Sequence, residues 1–431
     1  MTILEPFPRT ASTATMEASN SQDRLKLLFL APFAPRLDAV HGGGRVIAQL
    51  IAQLAMRHRI ALCYLRTTEE PSVDRLLQEQ CEIIEEVLIP EIGNSGLQQW
   101  PYRLRIWTEL LAGKPLWAIG RSVAAYGERV YTLVRSWYPD IVQIEYHIMG
   151  QYLSALAGYP APRVLVQHEP GQEAARQAWH SRHAQGLLMP YLNLLAWQRF
   201  ERAVMRQVQV VVVFTERDRH TLSQIGQQPP IVRIPLGTEL PKRPLDPLGS
   251  RPLNLLFVGN FLHLPNVDAA VRLISEIFPR VHSQYPEMLL YVVGSQPPPH
   301  LLQMANEKVI VTGRVPDVTP YLDSAALVVV PVRLGGGMRV KVLEALAAGK
   351  AIVASPLVVE GLDLVNGEQV ILAESDQEFS EAIIDLLNAP ERRASVATRA
   401  RTWACANLSW EKVAVVYEAL YQRLLLDISH G

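Results

Sequence analysis

Two kinds of apolar pattern alternate along the chain. Short runs without internal period have the make-up of strands buried on both faces: LKLLFLA (25–31), RIALCYL (59–65), EEVLIP (85–90), DIVQIEY (140–146), RVLVQHE (163–169) and VQVVVVFT (208–215). Between them, apolar residues recur at helical spacing, as in RVIAQLIAQLAMRH (45–58). After VQVVVVFT comes PLGTELPKRPLDPLGSRP, Pro235 to Pro252, dense in Pro and Gly and without apolar period. The strand pattern then restarts with LNLLFVGN, EMLLYVVG, KVIVTG, AALVVVP, AIVAS and QVILAE, with helical stretches such as VDAAVRLISEIFPRVHSQ between. A long helix over about 410–426 ends the chain. Alternating strands and helices predict an α/β fold with parallel sheets covered on both faces. The expected organisation is a mobile tail over 1–24, a first domain over 25–240, a linker over 241–252, a second domain over 253–409 and a final helix over 410–431.

Composition sharpens this picture by exclusion. The 431 residues suit two or three domains, and 49% hydrophobic with 19% charged residues is ordinary for a globular chain. A formal net charge of -1 gives no argument for nucleic acid. Three widely spaced cysteines, Cys63, Cys81 and Cys405, suggest buried thiols rather than disulfides or a zinc site. No apolar run reaches about 18 residues, so no membrane-spanning helix is expected. The Ser/Thr-rich first residues lack the apolar core of a signal peptide.

The stretch AVHGGGRVIAQL (39–50) carries the first candidate chemistry. An oxyanion loop of the His-Gly-Gly-Gly kind needs a G-x-S-x-G nucleophile elbow, and the chain has none. A dinucleotide loop needs a further glycine where Ile47 stands and an acidic residue after RIALCYL, and both are missing. A phosphate cradle fits best. Gly42, Gly43 and Gly44 precede a helix whose free N–H groups and dipole favour an anion, and Arg45 adds charge. The plain alternative is a Gly-rich turn from strand to helix.

A second cluster lies in VVVPVRLGGGMRVKVLEALAAGKAIVASPLVVEGL (328–362). Gly335 to Gly337 again stand between a strand and a helix, expected from near Met338 to Gly349. Lys341 and Glu344 share a helix face. A carboxylate there suits two ribose hydroxyls, and Arg339 and Lys341 suit a departing diphosphate. The competing reading is a solvated ion pair.

These motifs, with FVGNFLHLPNVDAA, VTGRVPDVTPYLDSAALVVVPVRLGGGMRVKVLEALAAGKAIVAS and VVEGL, resemble the donor domain of a family 4 glycosyltransferase of the GT-B fold. VVVVFTERDRHTL and IPLGTEL resemble the stretch before that domain. The resemblance covers roughly Leu25 to Leu425 and is looser in the first half. It implies two Rossmann-like doubly wound domains facing a cleft, the first on the acceptor side and the second holding the donor. It implies sugar transfer, with retention and without a metal or cofactor, from a UDP- or GDP-type nucleotide sugar. The acceptor would be a glycan, a lipid-linked sugar or a small molecule. No Asp-x-Asp occurs.

The resemblance also distributes roles. Donor-binding positions are Gly42, Gly43, Gly44, Asn260, Arg314, Gly336, Gly337, Met338, Arg339, Lys341 and Glu344, with Glu344 on the ribose and Arg314 near the nucleobase. His168 is placed near the reacting sugar, and Glu360 with Gly361 near the nucleotide. The final helix is implied to cross back onto the first domain. Glu145 and His147, at another strand end, suit the acceptor side, against a preferred reading as capping or surface polarity.

There are two departures. The first glutamate of the family's pair falls on Gly336, and the family's phosphate-binding Arg and Lys fall within Asn260–Asn266, which offers no cation but His263. Arg339 and Lys341 are expected to take over that charge. A nucleotide-sugar epimerase of the same fold and a catalytically lapsed binding protein remain alternatives. Trp100 to Tyr138 mixes basic and aromatic residues; the favoured reading turns aromatics to the core and arginines to water, the other rests this face on anionic lipid. The expected setting is cytoplasmic, at the inner face of a membrane in the second case.

Overall fold

The computed structural model describes residues 24–39, 42–91, 96–172, 175–176, 188–226, 228–334 and 340–429. The expected N-terminal tail and the cluster Gly335–Arg339 lie outside these, apart from Arg24. The described strands form two sheets. The first holds β1 (Lys26–Ala31), β2 (Arg59–Arg66), β3 (Ile83–Leu88), β4 (Ile141–Glu145), β5 (Arg163–Gln167), β6 (Val210–Val213) and β7 (Ile231–Arg233) in the order β3-β2-β1-β4-β5-β6-β7. The second holds β8 (Asn254–Val258), β9 (Leu289–Val293), β10 (Val309–Gly313), β11 (Leu327–Val330), β12 (Ile352–Ala354) and β13 (Ile371–Leu372) in the order β10-β9-β8-β11-β12-β13. Neighbouring strands are parallel throughout both sheets. In each sheet the strand order reverses, between β1 and β4 and between β8 and β11. Crevices for ligands open at such points, beyond the strand C-termini.

Most of the unperiodic apolar runs are buried because both sheet faces are covered; an exception is β3, which lies at a sheet edge with only Val87 buried. On β1, Leu27 and Phe29 join one core cluster while Leu28 and Leu30 join the other. The strand β7 escapes the sequence pattern because it has only three residues, each half-buried. Helix α1 (Gly42–Ala55) follows β1 and turns Val46, Ile47, Leu50, Ile51 and Leu54 inward. Further helices include α2 (Ala124–Trp137), α3 (Leu188–Met205), α4 (Val340–Ala348), α5 (Pro390–Asn407) and α6 (Trp410–Ser429).

The Pro-rich stretch 241–252 is not loose chain. Leu245 N–H donates to Ala348 O at 2.9 Å, and Asp246 N–H to the Asp323 carboxylate at 3.0 Å. The buried Lys350 ammonium donates to the carbonyls of Asp246 and Asp323. Burial pushes its pKa down to about 8. The chain crosses between the halves twice, side by side: Thr238 N–H donates to Leu408 O at 2.8 Å, and Trp410 lies so close over Gly237 that a Cβ there would meet its ring at 2.5 Å. Beyond this crossing α6 lies on α1. Glu418 accepts from Arg57 at 2.6 Å and pairs with His58 at 3.0 Å, and the Tyr421 hydroxyl donates to Gln143 on β4.

Candidate active site

A cavity of about 670 Å³ lies between the halves. Its second-domain side is built from the residues that follow β8, β9 and β10, including Gly259, Asn260, Gly294, Ser295 and Arg314, with Lys341 and Glu344 of α4. Its first-domain side is Asp38, Arg45, Val46 and Gln49, and Trp410 stands at the crossing. The volume falls in the range of small-molecule sites, about 300–1,000 Å³. The floor is backbone, since a Cβ on Gly294 would meet the Gly259 carbonyl oxygen at 1.6 Å. Two strand ends can approach this closely only with glycine.

The second-domain wall carries Lys341, Glu344 and Arg314. Glu344 Oε1 accepts from Arg45 Nη1 at 2.9 Å, across the cleft. The half-buried Lys341 is pushed down to about 7, chiefly by burial and further by Arg45, while Glu344 opposes the shift. The sequence pairs Lys341 with Glu344 by helical spacing; the ion pair formed at Glu344 instead joins residues of opposite domains. The Asn260 side-chain oxygen accepts from Leu262 N–H and Ser295 Oγ, both at 3.2 Å, fixing the loop after β8. Arg314 is exposed at the rim. Asp38 faces it; Arg36, bonded at 2.7 Å, is the main cause holding the Asp38 carboxyl below its usual range, with a smaller contribution from Arg314. Gly336, Gly337, Met338 and Arg339 lie outside the described residues.

The first-domain wall differs. Gly42, Gly43 and Gly44 open α1 but do not line the cavity. A Cβ on Gly42 would meet the Val340 side chain at 3.3 Å, and one on Gly43 would meet the Tyr146 hydroxyl at 1.9 Å. Tyr146 has φ +65°, and no sequence signal marks a tyrosine for that conformation. Its ring stacks on His168, with centroids 3.9 Å apart and planes 3° apart, and meets Phe33 and Trp117 edge-on. His168 Nε2 lies 2.9 Å from Glu145 Oε2, and Glu145 accepts from Gln143 at 2.6 Å. Side-chain contacts therefore run from Tyr421 of α6 through Gln143, Glu145, His168 and Tyr146 to Gly43.

His168, Glu145 and His147 are all buried, and none lines the cavity. Capping or surface polarity is thus not the role of the Glu145–His147 pair. The His147 ring packs on Trp117 and Trp197, and burial, aided by His168, pushes its pKa down to about 3. Behind it lies a carboxylate that the sequence does not single out. Glu201 of α3 accepts from Gly171 N–H and Gln167 Nε2, both at 2.7 Å, and burial raises its pKa to about 7. Glu201 thereby fastens the loop after β5 that carries His168. Glu360 and Gly361 are not at the cavity either; Gly361 packs on Thr215 and its carbonyl accepts from Arg233. Among the described residues no three His, Cys, Asp or Glu side chains form a metal-holding group.

Helix Gly96–Leu111 departs from the expected inward turn of aromatics. Ile106 and Leu110 pack with Met189 and Leu192, while Trp100, Leu104, Trp107 and Leu111 form an exposed stripe at helical spacing. Farther along, Tyr126, Val130, Leu133 and Trp137 of α2 do face the core. Among the described residues no helix is long and apolar enough to cross a membrane.

Known proteins can be set beside this geometry. Residues 252–389 match the family model described as glycosyl transferases group 1. An uncharacterised glycosyltransferase of Methanocaldococcus jannaschii is 34% identical over 95 residues, a match spanning 21% of this chain and 24% of that protein. A sucrose-phosphate synthase from Thermosynechococcus elongatus superposes with a TM-score of 0.70 at 16% identity, covering 94% of this chain and 100% of its own. Anabaena HepE, solved in complex with UDP and glucose, superposes at 0.63 with 13% identity, covering 92% of this chain and 99% of its own. At such identities the likeness shows the fold, which is GT-B. Residues 252–389 thus match the glycosyl transferases group 1 model, within a two-domain GT-B fold.

Proposed function

We propose that this protein transfers a sugar from a UDP- or GDP-type nucleotide sugar to an acceptor, with retention at the anomeric carbon and without a metal in the transfer. The observation that carries this reading is the cavity between the domains, where Lys341, Glu344 and Arg45 meet beyond the strand ends. HepE, of the same fold, is solved with UDP, which supports a nucleotide donor. Glu344 takes the ribose hydroxyls, Lys341 and Arg339 the diphosphate, and Asn260 and Arg314 flank the nucleotide. The bond from anomeric carbon to diphosphate breaks, and the electron pair leaves with the diphosphate. The acceptor oxygen attacks the same face, and its proton passes to the departing diphosphate. Positive charge on the diphosphate's side stabilises it as it leaves. No protein nucleophile is required. His168 and Glu145 act from behind Tyr146, which lies between His168 and the start of α1.

On the acceptor side, the exposed stripe Trp100, Leu104, Trp107 and Leu111, with exposed Arg103 and Arg105 on the same helix, suits an anionic lipid surface and a lipid-linked acceptor. The protein then works at the cytoplasmic face of a membrane. Co-sedimentation with vesicles, with and without anionic lipid, tests the contact: pelleting that requires anionic lipid supports it, and none contradicts it. The reaction is tested by incubation with a panel of nucleotide sugars and acceptors. Free nucleotide together with a glycosylated acceptor is expected. A chemically altered donor sugar points instead to epimerisation, and binding without turnover to a lapsed enzyme.

A further inference from the structure

Arg45 occupies a position that electrostatics disfavours. It lies in the first turn of α1, where the helix dipole and unpaired N–H groups already concentrate positive charge. Lys341 adds to this from the opposite wall of the same cavity, where its charge opposes that of Arg45. The carboxylate that Arg45 reaches is Glu344. Arg45 uses only Nη1 to reach it, and Arg45 Nε is buried without a hydrogen-bond partner. A guanidinium favours a two-pronged partner, and a buried donor left unpaired is costly. The guanidinium has one acceptor too few. A diphosphate oxygen supplies it.

The bridge also competes with the role proposed for Glu344. A ribose diol is held best by both carboxylate oxygens, and Oε1 already accepts from Arg45. Resting on the donor reading above, we propose that Arg45 is a donor-binding residue that exchanges partners. It holds Glu344 until a donor's ribose claims the carboxylate, and its guanidinium then pairs with the donor's diphosphate. The first domain thereby contributes a cation to a ligand otherwise held by the second. Nucleoside diphosphates are favoured over nucleosides, which must break the bridge and offer Arg45 nothing in return.

The test compares probes with and without the diphosphate. Wild type, Arg45→Ala and Glu344→Gln are titrated calorimetrically with UDP, uridine, GDP, guanosine and inorganic pyrophosphate, after circular dichroism has confirmed their fold. Arg45→Ala is expected to weaken the bound nucleoside diphosphate by about tenfold to a hundredfold, while the matching nucleoside binds several-fold more tightly because Glu344 is released. Glu344→Gln opens the same bridge from its other end. It is expected to lose the nucleoside and to keep pyrophosphate, and Arg45→Ala to lose pyrophosphate. Should Arg45→Ala misfold, Arg45→Gln carries the same expectation and the Glu344→Gln arm stands by itself. Unchanged diphosphate affinity in Arg45→Ala, or equal weakening of diphosphate and nucleoside, overturns the exchange while leaving the donor reading intact. A wild type that binds none of the nucleotides overturns both.

Discussion

On the second-domain wall of the cleft, Lys341 and Glu344 stand at the cavity, one turn apart on α4. On the first-domain wall, the glycines that open α1 lie behind other side chains, Gly42 against Val340 and Gly43 beneath the Tyr146 hydroxyl. Both walls present a helix start near a strand end and both bring charged side chains to the cavity, Arg45 from the first and Lys341 with Glu344 from the second, but the glycines that open α1 do not line it. The second wall works through side chains whose spacing is local in sequence. The first works through backbone whose access depends on Tyr146, and Tyr146 depends on His168, Glu145, Gln143 and, through Tyr421, the final helix. The crossing near Thr238 and Leu408 ties the two walls together.

The sharpest way to break this contrast is at Gly43. In Gly43→Ala the new methyl group cannot coexist with Tyr146 in its present place. Transfer is expected to fall about a hundredfold, the scale for displacing a site by about 1 Å. Nucleoside binding on the second wall is expected to persist. Adding Tyr146→Phe removes the nearest clashing atom, and the double variant is expected to recover part of the loss in steady-state assays.

A smaller effect is expected at Lys341. Lys341→Met should weaken the nucleotide sugar about tenfold, the worth of one charge-assisted contact. The pH dependence follows from its pKa of about 7. A sugar-linked diphosphate does not titrate near neutrality, and binding it favours the protonated lysine. Donor binding by wild type should take up a proton above pH 7, and affinity should fall as pH rises, by at most about tenfold per unit. Titration in two buffers of different ionisation heat reads the proton uptake, which Lys341→Met should abolish. The stability term has the opposite sense. The folded pKa lies below the unfolded value of about 10.4, so the unfolded chain binds more protons between pH 7 and pH 10.4 and stability rises with pH across that window. At pH 7 and below, the cost of charging Lys341 is fully present. Lys341→Met should therefore be more stable there, by about 1 kcal/mol, as read in denaturant unfolding.

The smallest effect on chemistry is expected farthest from both walls. Trp100→Ser with Trp107→Ser should change transfer to a water-soluble acceptor by less than about twofold. The same pair should abolish binding to anionic vesicles. A large loss with the soluble acceptor would mean that this helix shapes the site itself.

The contrast between the walls also governs what the sequence reveals. Strands buried on both faces announce themselves as unperiodic apolar runs, and β3 and β13 read that way too although β3 has one buried residue and β13 is two half-buried ones. The three half-buried residues of β7 do not. Lys341 and Glu344 are legible because one helix turn fixes their relation. The Arg45–Glu344 pair spans 299 residues, and no local spacing encodes it. Tyr146 is invisible for another reason: its left-handed backbone is imposed by the packing around it. His147 and Glu145 read as polar residues at a strand end, but the strand end is roofed by Trp117 and by the loop that Glu201 holds. The Pro-rich stretch reads as a spacer, and only the partners of Lys350 reveal that it is strapped down.

A nucleotide-sugar donor held in the cavity beside Lys341 through the Glu344 carboxylate is tested most directly by calorimetric titration of the wild type and of Glu344→Ala with matched UDP- and GDP-sugars. One-to-one binding of one base class to the wild type is expected, with affinity about a hundredfold lower in Glu344→Ala. Absence of binding by every donor, or equal affinity in the two proteins, would contradict it.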